Sequence, residues 1–572
     1  MNQPLPQFSI RIAGNAGQGI MSSAVILSKA LVKTGLYVLT SSEYPSLIRG
    51  GHNYATITFS SQKVLAPKNK LDLLLAFDQE AIEKHYKNLG KEGTALVDIT
   101  NKGDQKKQKI YTISFQKITQ EQGGLPIMEN MAYLGTAFKI LNLPFQFLNS
   151  MIANIFQEKK HKDPRIIELN QKIAKAGYDY DLSKVKNQYS QFPQSNKSAQ
   201  SFTLLNGNTA IAQGLIAGKL NFYSAYPMTP ASEILHYLAQ EGLKKKIIVI
   251  QPEDEIASIN MAIGASFAGA RSATGTSGGG FSLMVEALGL AGCTETPVVI
   301  INCQRPGPST GLPTRTEQGD LQSTLYASQG EFPRIVLAPG DAEECYEYAQ
   351  HALNLAEIYQ TSVIMLSDKY LADNLETVGQ LKNIPPIMRQ NINQKNYHRY
   401  AFTQNHISPR AIPGDNVPVF TITSNEHNEN GDIMEDKILR IKMMQKRMKK
   451  MQTLLKQENK IKFYKLHGNK LAKILLIGWG STKGVILEAM RELKARNIQT
   501  QFLQFLIIEP NYWEKIQKIL KKYSRLILIE NNFSGQLGNL ICEKIGIEIQ
   551  EKILRYDGRP IEVSEILKNI KK

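Results

Sequence analysis

"KIIVIQPEDEIASINMAIGASFAGARSATGTSGGG", residues 246–280, joins an apolar strand to a long helix rich in small residues, then a second strand and a glycine-rich turn. Strands alternating with helical stretches predict an α/β domain with a mostly parallel sheet. Three acids, Glu253, Asp254 and Glu255, stand at the start of the helix. Acids there favour the helix dipole. They also lie beyond the C-terminal end of a strand, where open parallel sheets put their sites. The small residues Ala257, Ala262, Gly264, Ala265 and Ala268 allow another element to pack very close.

Upstream, "YSAYPMTPASEI", residues 223–234, brackets Met228 and Thr229 between Pro227 and Pro230. Each proline fixes its own φ and pushes the residue before it out of the helical region, so Thr229 is held extended at the entrance to a helix. Downstream, "INCQRPGPSTGLPTRTEQGD", residues 301–320, follows a buried strand. It carries Arg305, Thr310 and Thr314 on a loop stiffened by Pro306, Pro308 and Pro313. Arginine flanked by hydroxyls on a rigid loop suits a carboxylate, because its fork binds two oxygens at once.

The same strand–helix alternation covers residues 202–379, with further strands "TPVVIINC", "PRIVLAP" and "TSVIMLS". Before it, residues 1–190 open with the strand "FSIRIAG", the turn "GNAGQGI" and an amphipathic helix, and then run through "LYVLTSS", "YATITFS", "LDLLLAF" and "GTALVDI". A polar, turn-rich linker is expected at 191–201. Residues 380–468 form an irregular connector ending in a long basic helix. Its Met434, Ile438, Ile441, Met448, Met451 and Leu455 recur at steps of three or four, which predicts a core-packing stripe. A last α/β domain, residues 469–572, starts at "AKILLIGWGST". The fold class is therefore α/β, with several mostly parallel-sheet domains.

In "GNAGQGI", Gly14, Gly17 and Gly19 lie between a strand and a helix, which makes either an anion cradle or a tight turn. The spacing is not the dinucleotide fingerprint. "SLIRGGHN" adds Arg49 beside a glycine pair, as a second phosphate contact or a hairpin. The formal charge is +17, but the lysines are spread along the whole chain, with no zinc-finger spacing and no arginine-rich arm, so no nucleic-acid partner is expected. The four cysteines, Cys293, Cys303, Cys345 and Cys542, form no Cys-x-x-Cys pair, so disulfides, metal sites and cluster ligands are unsupported. No apolar run reaches the roughly 18 residues that span a bilayer, and a cytoplasmic location is expected.

"YPMTPASE", "EDEIASINMAIGASFAGA", "TSGGGFSLMVEALGLAG" and "QRPGPSTGLPTRTEQGDL" resemble the α subunit of 2-oxoacid:ferredoxin oxidoreductases, the 2-oxoglutarate type above all. "GNAGQGI" and "SLIRGGHN" resemble the γ domain of that family, fused in front. "ISPRAIPG", "NEHNENG" and "LIENNFSGQLGNL" extend the likeness over nearly the whole chain. The resemblance implies a γ-type domain, a pyrimidine-binding domain of thiamine-diphosphate enzymes and a transketolase C-terminal-like domain. It implies oxidative decarboxylation of a 2-oxoacid with coenzyme A to acyl-CoA, CO2 and reduced ferredoxin. A non-oxidative thiamine-diphosphate decarboxylase or a non-catalytic scaffold are the alternatives.

By the same resemblance, Glu255 hydrogen-bonds the aminopyrimidine of thiamine diphosphate and so activates the cofactor. Thr229 and Arg305 lie around the substrate's carboxylate and keto oxygen, with Thr310 and Thr314 on the substrate loop. Gly14, Gly17, Gly19 and Arg49 stand where the family meets coenzyme A. No Gly-Asp-Gly exists in the chain. In the family that motif, which holds the diphosphate and Mg2+, and the iron–sulfur cluster belong to a separate β subunit. An (αβ)2 heterotetramer is expected. His406 stands where the family commonly has glycine before Ile-Ser-Pro-Arg.

Overall fold

The computed structural model describes residues 7–46, 50–98, 109–158, 163–183, 185, 202–456 and 460–570. The expected linker at 191–201 lies outside them. The chain divides into two compact units, residues 1–205 with 374–380 and 562–564, and residues 206–373 with 381–561 and 565–572.

The first unit holds an eight-stranded sheet in the order Ile110–Ile113, Leu89–Asp98, Leu71–Ala76, Phe8–Asn15, His52–Ser60, Tyr37–Glu43, Leu375–Val378, Thr203–Leu205. The first four strands are parallel. The remaining pairings are antiparallel. The sheet is thus mixed, where the sequence reading expected it mostly parallel. Only residues 44–51 separate Tyr37–Glu43 from His52–Ser60, too few for the dozen or more that a parallel crossover needs. His52–Ser60 consequently turns back and inserts itself beside Phe8–Asn15. Thr203–Leu205 and Leu375–Val378, read from sequence as the two ends of the second domain, pair with each other and extend this first sheet. The Thr377 hydroxyl fixes that edge by accepting from the Val38 amide at 2.8 Å.

The second unit holds two sheets. The larger runs Ile507–Glu509, Arg334–Leu337, Ser362–Asp368, Val298–Gln304, Ser272–Thr276, Phe222–Ser224, Ile248–Ile250, and all but the first strand are parallel. The smaller runs Tyr464–Gly468, Thr500–Phe505, Ile474–Trp479, Arg525–Glu530, Glu551–Leu554, antiparallel only at its first pairing. Between the two lies a single core that includes Phe281, Met284, Ile300, Val336, Trp479, Leu503 and Leu528. Ile507–Glu509 leaves the smaller domain to edge the larger sheet, so the two share backbone hydrogen bonds as well as side chains. His406 has a φ of 63°, the left-handed conformation for which glycine is best suited.

The connector helix is Lys437–Leu455, capped by Asp436, whose carboxylate accepts from the Ile438 and Leu439 amides. Its expected apolar stripe is not in the core. Met434, Ile438, Ile441 and Met448 are exposed, Ile438 by 55%, and the buried side includes Met443, Lys446, Arg447, Lys450 and Leu454. The reason is a counter-charge that periodicity cannot see. Glu295, fully buried on the turn after the helix Gly278–Cys293, pairs with Lys446 at 2.5 Å and Lys450 at 2.6 Å. Burial alone would raise the Glu295 carboxyl, but Lys450, Lys446 and Arg399 hold it far below the usual carboxylate range. Burial lowers the Lys450 ammonium to about 8 even though Glu295 opposes it.

Removing one partner of a buried ion pair typically costs about 3–5 kcal/mol, because the other charge stays buried unpaired. Glu295→Gln should therefore lower the unfolding free energy by an amount of that order, read from urea unfolding as a lower midpoint at an unchanged slope. A loss below about 1 kcal/mol would show that the lysines find water or another anion instead.

Candidate active site

Four adjacent parallel strands, Ile248–Ile250, Phe222–Ser224, Ser272–Thr276 and Val298–Gln304, end on one edge of the larger sheet. The segments leaving that edge carry Thr229, Glu255, Arg305 and the glycines 278–280, which were expected as a turn and instead form the first turn of the helix Gly278–Cys293. This is where an open parallel sheet gathers side chains from segments distant in sequence.

Thr229 precedes a cis peptide bond to Pro230, and the following helix is Ser232–Lys245. The Pro230 carbonyl accepts from Asn208 Nδ2 at 2.8 Å, which pins the turn from behind. The Thr229 carbonyl accepts from Arg305 Nη1 at 2.7 Å. The structure thus joins these two expected site residues directly. No hydrogen bond links Arg305 to Thr310 or Thr314 among the described residues. Thr310 is exposed and Thr314 is buried.

The three acids at the helix start divide their roles. Asp254 is the cap, its Oδ1 accepting from the Ala257 amide at 2.7 Å. Glu253 is exposed. Glu255 is 3% exposed, and its Oε1 has no hydrogen-bond partner. A Cβ added at Gly280 would collide with Glu255 Oε1 and Thr276 Oγ1, so this glycine in the first turn of the helix makes room for the carboxylate. Burial raises the Glu255 carboxyl and the charge of Asp254 adds to that, while Arg305 and Thr276 oppose it.

Two further carboxylates belong to this edge and were not singled out from sequence. Asp320 receives Asn302 Nδ2 at 3.2 Å, and a Cβ at Gly278 would collide with its carboxylate. Burial lowers the Arg305 guanidinium, and the charges of Asp320 and then Glu255 offset this. Burial, with the neighbouring Asp320 charge, pushes the half-buried Glu317 carboxyl up to about 7. Both residues lie within the stretch that carries Arg305. Their loop returns to the sheet edge through tertiary hydrogen bonds, which spacing in the sequence does not encode.

Glu255 Oε1, Ser277 Oγ, Asn302 Oδ1 and Arg305 Nε are all buried without a hydrogen-bond partner. A buried polar group left unpaired costs about 1–3 kcal/mol, so such a cluster marks a place for a polar ligand. An acid, a hydroxyl, an amide oxygen and a guanidinium N–H fit a nitrogen-rich aromatic ring beside a carboxylate.

In the first unit, Gly14 is the penultimate residue of the strand Phe8–Asn15, and Gly17 and Gly19 lie between that strand and the helix Ile20–Lys33. Gly17 and Gly19 have φ of 99° and 76°. Much of the turn's donor capacity is already engaged. The Asn15 amide reaches Gln18 Oε1 at 2.7 Å and Asp78 Oδ2 at 2.8 Å, and the Ala16 amide reaches the Gly51 carbonyl at 2.9 Å. Arg49 lies outside the described residues. Beside the turn, Arg11 Nη1 meets His85 Nδ1 at 3.1 Å, and His85 Nε2 meets His52 Nε2 at 2.8 Å. Arginine only donates, so His85 carries its proton on Nε2. Burial, with Arg11 next, lowers His85 to about 3.

Residues 213–447 match the family model described as pyruvate flavodoxin/ferredoxin oxidoreductase, thiamine diphosphate-binding. Residues 9–180 match that of pyruvate ferredoxin/flavodoxin oxidoreductase, and 467–561 that of the transketolase C-terminal domain. The chain is 33% identical to the 2-oxoacid:ferredoxin oxidoreductase subunit alpha of a Sulfolobus species, over 97% of this chain and 95% of that one. It is 29% identical to the 2-oxoglutarate oxidoreductase subunit KorA of Mycobacterium tuberculosis, over 96% and 89%. Among solved structures, a 2-oxoglutarate:ferredoxin oxidoreductase from Magnetococcus marinus with 2-oxoglutarate, coenzyme A and succinyl-CoA bound superposes with a TM-score of 0.91. The identity there is 32%, over 99% of both chains.

The raised Glu317 carboxyl has a consequence for stability. Its folded value, about 7, lies above the usual 4.5, so the folded chain holds a proton that the unfolded chain releases. That contribution is full below about 4.5 and is lost as pH rises through about 7. Glu317→Gln imitates the protonated form. Its melting temperature should gain on wild type as pH rises across this window and keep a constant lead above it. A difference independent of pH between 4 and 8 would place Glu317 in ordinary solvent.

Proposed function

The chain belongs to the family of 2-oxoacid:ferredoxin oxidoreductase α subunits, and from that membership we propose that it oxidatively decarboxylates a 2-oxoacid with coenzyme A, passing the electrons to ferredoxin. The favoured substrate is 2-oxoglutarate, named for relatives and bound in the similar structure. The observation that carries this reading is the buried, unpartnered Oε1 of Glu255, set against Gly280 on the edge that also holds Arg305.

Thiamine diphosphate, when bound, supplies a nucleophilic carbon and a sink for the electrons left when CO2 departs. Glu255 meets its pyrimidine ring. A carboxyl with a raised proton affinity is suited to sharing a proton with a ring nitrogen at Oε1. Arg305 binds the substrate carboxylate through the N–H groups that the Thr229 carbonyl leaves free, Nε among them. Thr229, fixed between its prolines and Arg305, presents its hydroxyl to the substrate without an ordering cost at the moment of reaction. Thr310 and Thr314 complete the substrate loop. Gly14, Gly17, Gly19 and Arg49 form the coenzyme A contact. With the Asn15 and Ala16 amides engaged, the glycines bring backbone close while the phosphates depend on Arg49.

A β subunit completes the site, holding the diphosphate with Mg2+ and an iron–sulfur cluster, and the assembly is an (αβ)2 heterotetramer in the cytoplasm. The chain's lack of Gly-Asp-Gly and its scattered cysteines support this. So do exposed apolar residues around Glu255. Ile256 and Met261 are exposed on the helix Glu255–Phe267, and Leu283 on Gly278–Cys293. A Cβ at Gly264 would meet nothing within 4 Å, so the small-residue face reads as reserved for another chain. Among the described residues, no helix is long and apolar enough to cross a membrane. The division into domains at 1–190, 202–379 and 469–572 goes with this reading, except that the middle domain gives both of its end strands to the first sheet.

Purified alone, the chain should be colourless and should not decarboxylate 2-oxoacids, and adding the β subunit should restore coenzyme A-dependent reduction of a viologen dye. Turnover by the isolated chain would end this part of the proposal. Glu255→Gln should slow exchange of the bound cofactor's C2 proton with deuterated water by about 10²–10⁴-fold, the usual scale for a lost acid–base group. Melting should change little, since Asp254 caps the helix. Exchange at the wild-type rate, followed by NMR after acid quench, would remove Glu255 from the reaction.

A further inference from the structure

Gln318 is fully buried, and each of its backbone and side-chain polar groups has a partner in the smaller-sheet domain. Its amide donates to the Asn531 carbonyl at 2.7 Å, and its Oε1 accepts from the Asn531 amide at 2.9 Å. Its carbonyl accepts from Asn532 Nδ2 at 3.0 Å, and its Nε2 donates to the Trp479 carbonyl at 2.8 Å. Trp479 ends the strand Ile474–Trp479, and Asn531 and Asn532 follow the strand Arg525–Glu530. Glu530 ties these two strand ends together, accepting from Trp479 Nε1 at 2.7 Å and from Asn532 Nδ2 at 3.1 Å. The grip is therefore rigid, and it closes on a loop that has no regular structure of its own between Arg305 and Asp320.

The far end of that loop comes back to its beginning. The Asp320 amide donates to Gln304 Oε1 at 3.0 Å, beside Arg305 in sequence, and the Asp320 charge supports the Arg305 guanidinium. Gln318 stands two residues before Asp320. It fixes where Asp320 returns, and the Asp320 amide in turn holds the side chain of Gln304, the residue next to Arg305.

We propose that Gln318 is a positioning residue through which the smaller-sheet domain sets the placement of Arg305 for the substrate carboxylate. This rests on the reading of Arg305 as the carboxylate ligand. A clamp of this kind aligns Arg305 before the substrate arrives, so losing it weakens substrate binding more than it slows the chemistry. Gln318 itself makes no hydrogen bond to the cofactor side of the site, around Glu255 and Gly280, among the described residues.

The test uses the chain assembled with its partner subunit, with Gln318→Leu, Arg305→Lys and the pair. Gln318→Leu removes two side-chain hydrogen bonds while keeping volume. The KM for 2-oxoglutarate should rise about 5- to 30-fold. The KM for coenzyme A, the affinity for thiamine diphosphate and kcat should change less than about twofold. Arg305→Lys alone should also raise the 2-oxoglutarate KM, and in the Gln318→Leu background it should add much less than it does alone, because the two act as one unit. An unchanged KM in Gln318→Leu, or fully multiplicative effects in the pair, would overturn the positioning role. An unchanged KM in Arg305→Lys alone would instead overturn the reading on which the role rests. If Gln318→Leu does not fold, Gln318→Met keeps the unbranched shape of the side chain and loses the same two hydrogen bonds. A KM rise confined to the 2-oxoacid supports the role there too, and none refutes it.

Discussion

Parallel strands that begin together must also end together, and this constraint governs the second unit. Four strands of the larger sheet stop on one edge. The chain leaves each of them through a different device: a proline-bracketed turn after Phe222–Ser224, a capped helix after Ile248–Ile250, a helix opened by three glycines after Ser272–Thr276 and a long loop after Val298–Gln304. None of these devices holds more than part of the site. Thr229, Glu255, Gly280 and Arg305 meet only because the sheet delivers their segments to the same place.

The unit contains two clusters of buried charge with opposite characters. Glu295 is paired with both Lys446 and Lys450, and its work is to hold the connector helix against the core. Glu255 and Arg305 each keep one buried polar atom without a partner, although both have neighbours close by. A structure that can bring two lysines to Glu295 has the means to satisfy Glu255 as well. Glu255 and Arg305 make no ion pair among the described residues, and that, with the open Glu255 Oε1 and Arg305 Nε, distinguishes a site from a staple.

The smaller-sheet domain is more than an appendage in this arrangement. It shares a hydrophobic core with the larger sheet, lends it the strand Ile507–Glu509 and grips the Arg305 loop through Gln318. The loop can therefore be long and rich in proline and glycine and still be held at both ends. Thr316 adds to this. Its amide donates to the Gly558 carbonyl at 3.3 Å and its hydroxyl to Asp368 at 3.1 Å.

Much of this was legible in the sequence because it rests on local chemistry. Strand–helix alternation gave the α/β class, two prolines marked Thr229 as constrained, and three acids at a helix start drew attention to Glu255. Which acid caps and which is buried was not legible, since Asp254 and Glu255 differ only in which one the helix start turns inward. The inverted connector helix has the same origin: periodicity counts apolar residues along one segment, while Glu295 lies more than a hundred positions away. The insertion of His52–Ser60 between two strands, and the return of Asp320 to Gln304, likewise depend on contacts between segments. The sequence alone determined the elements, the turns and the candidate residues, because propensity, capping and proline geometry act over a few bonds. The tertiary structure alone decided which charges are paired and which are left open, because only packing brings distant counter-charges together and excludes water from between them.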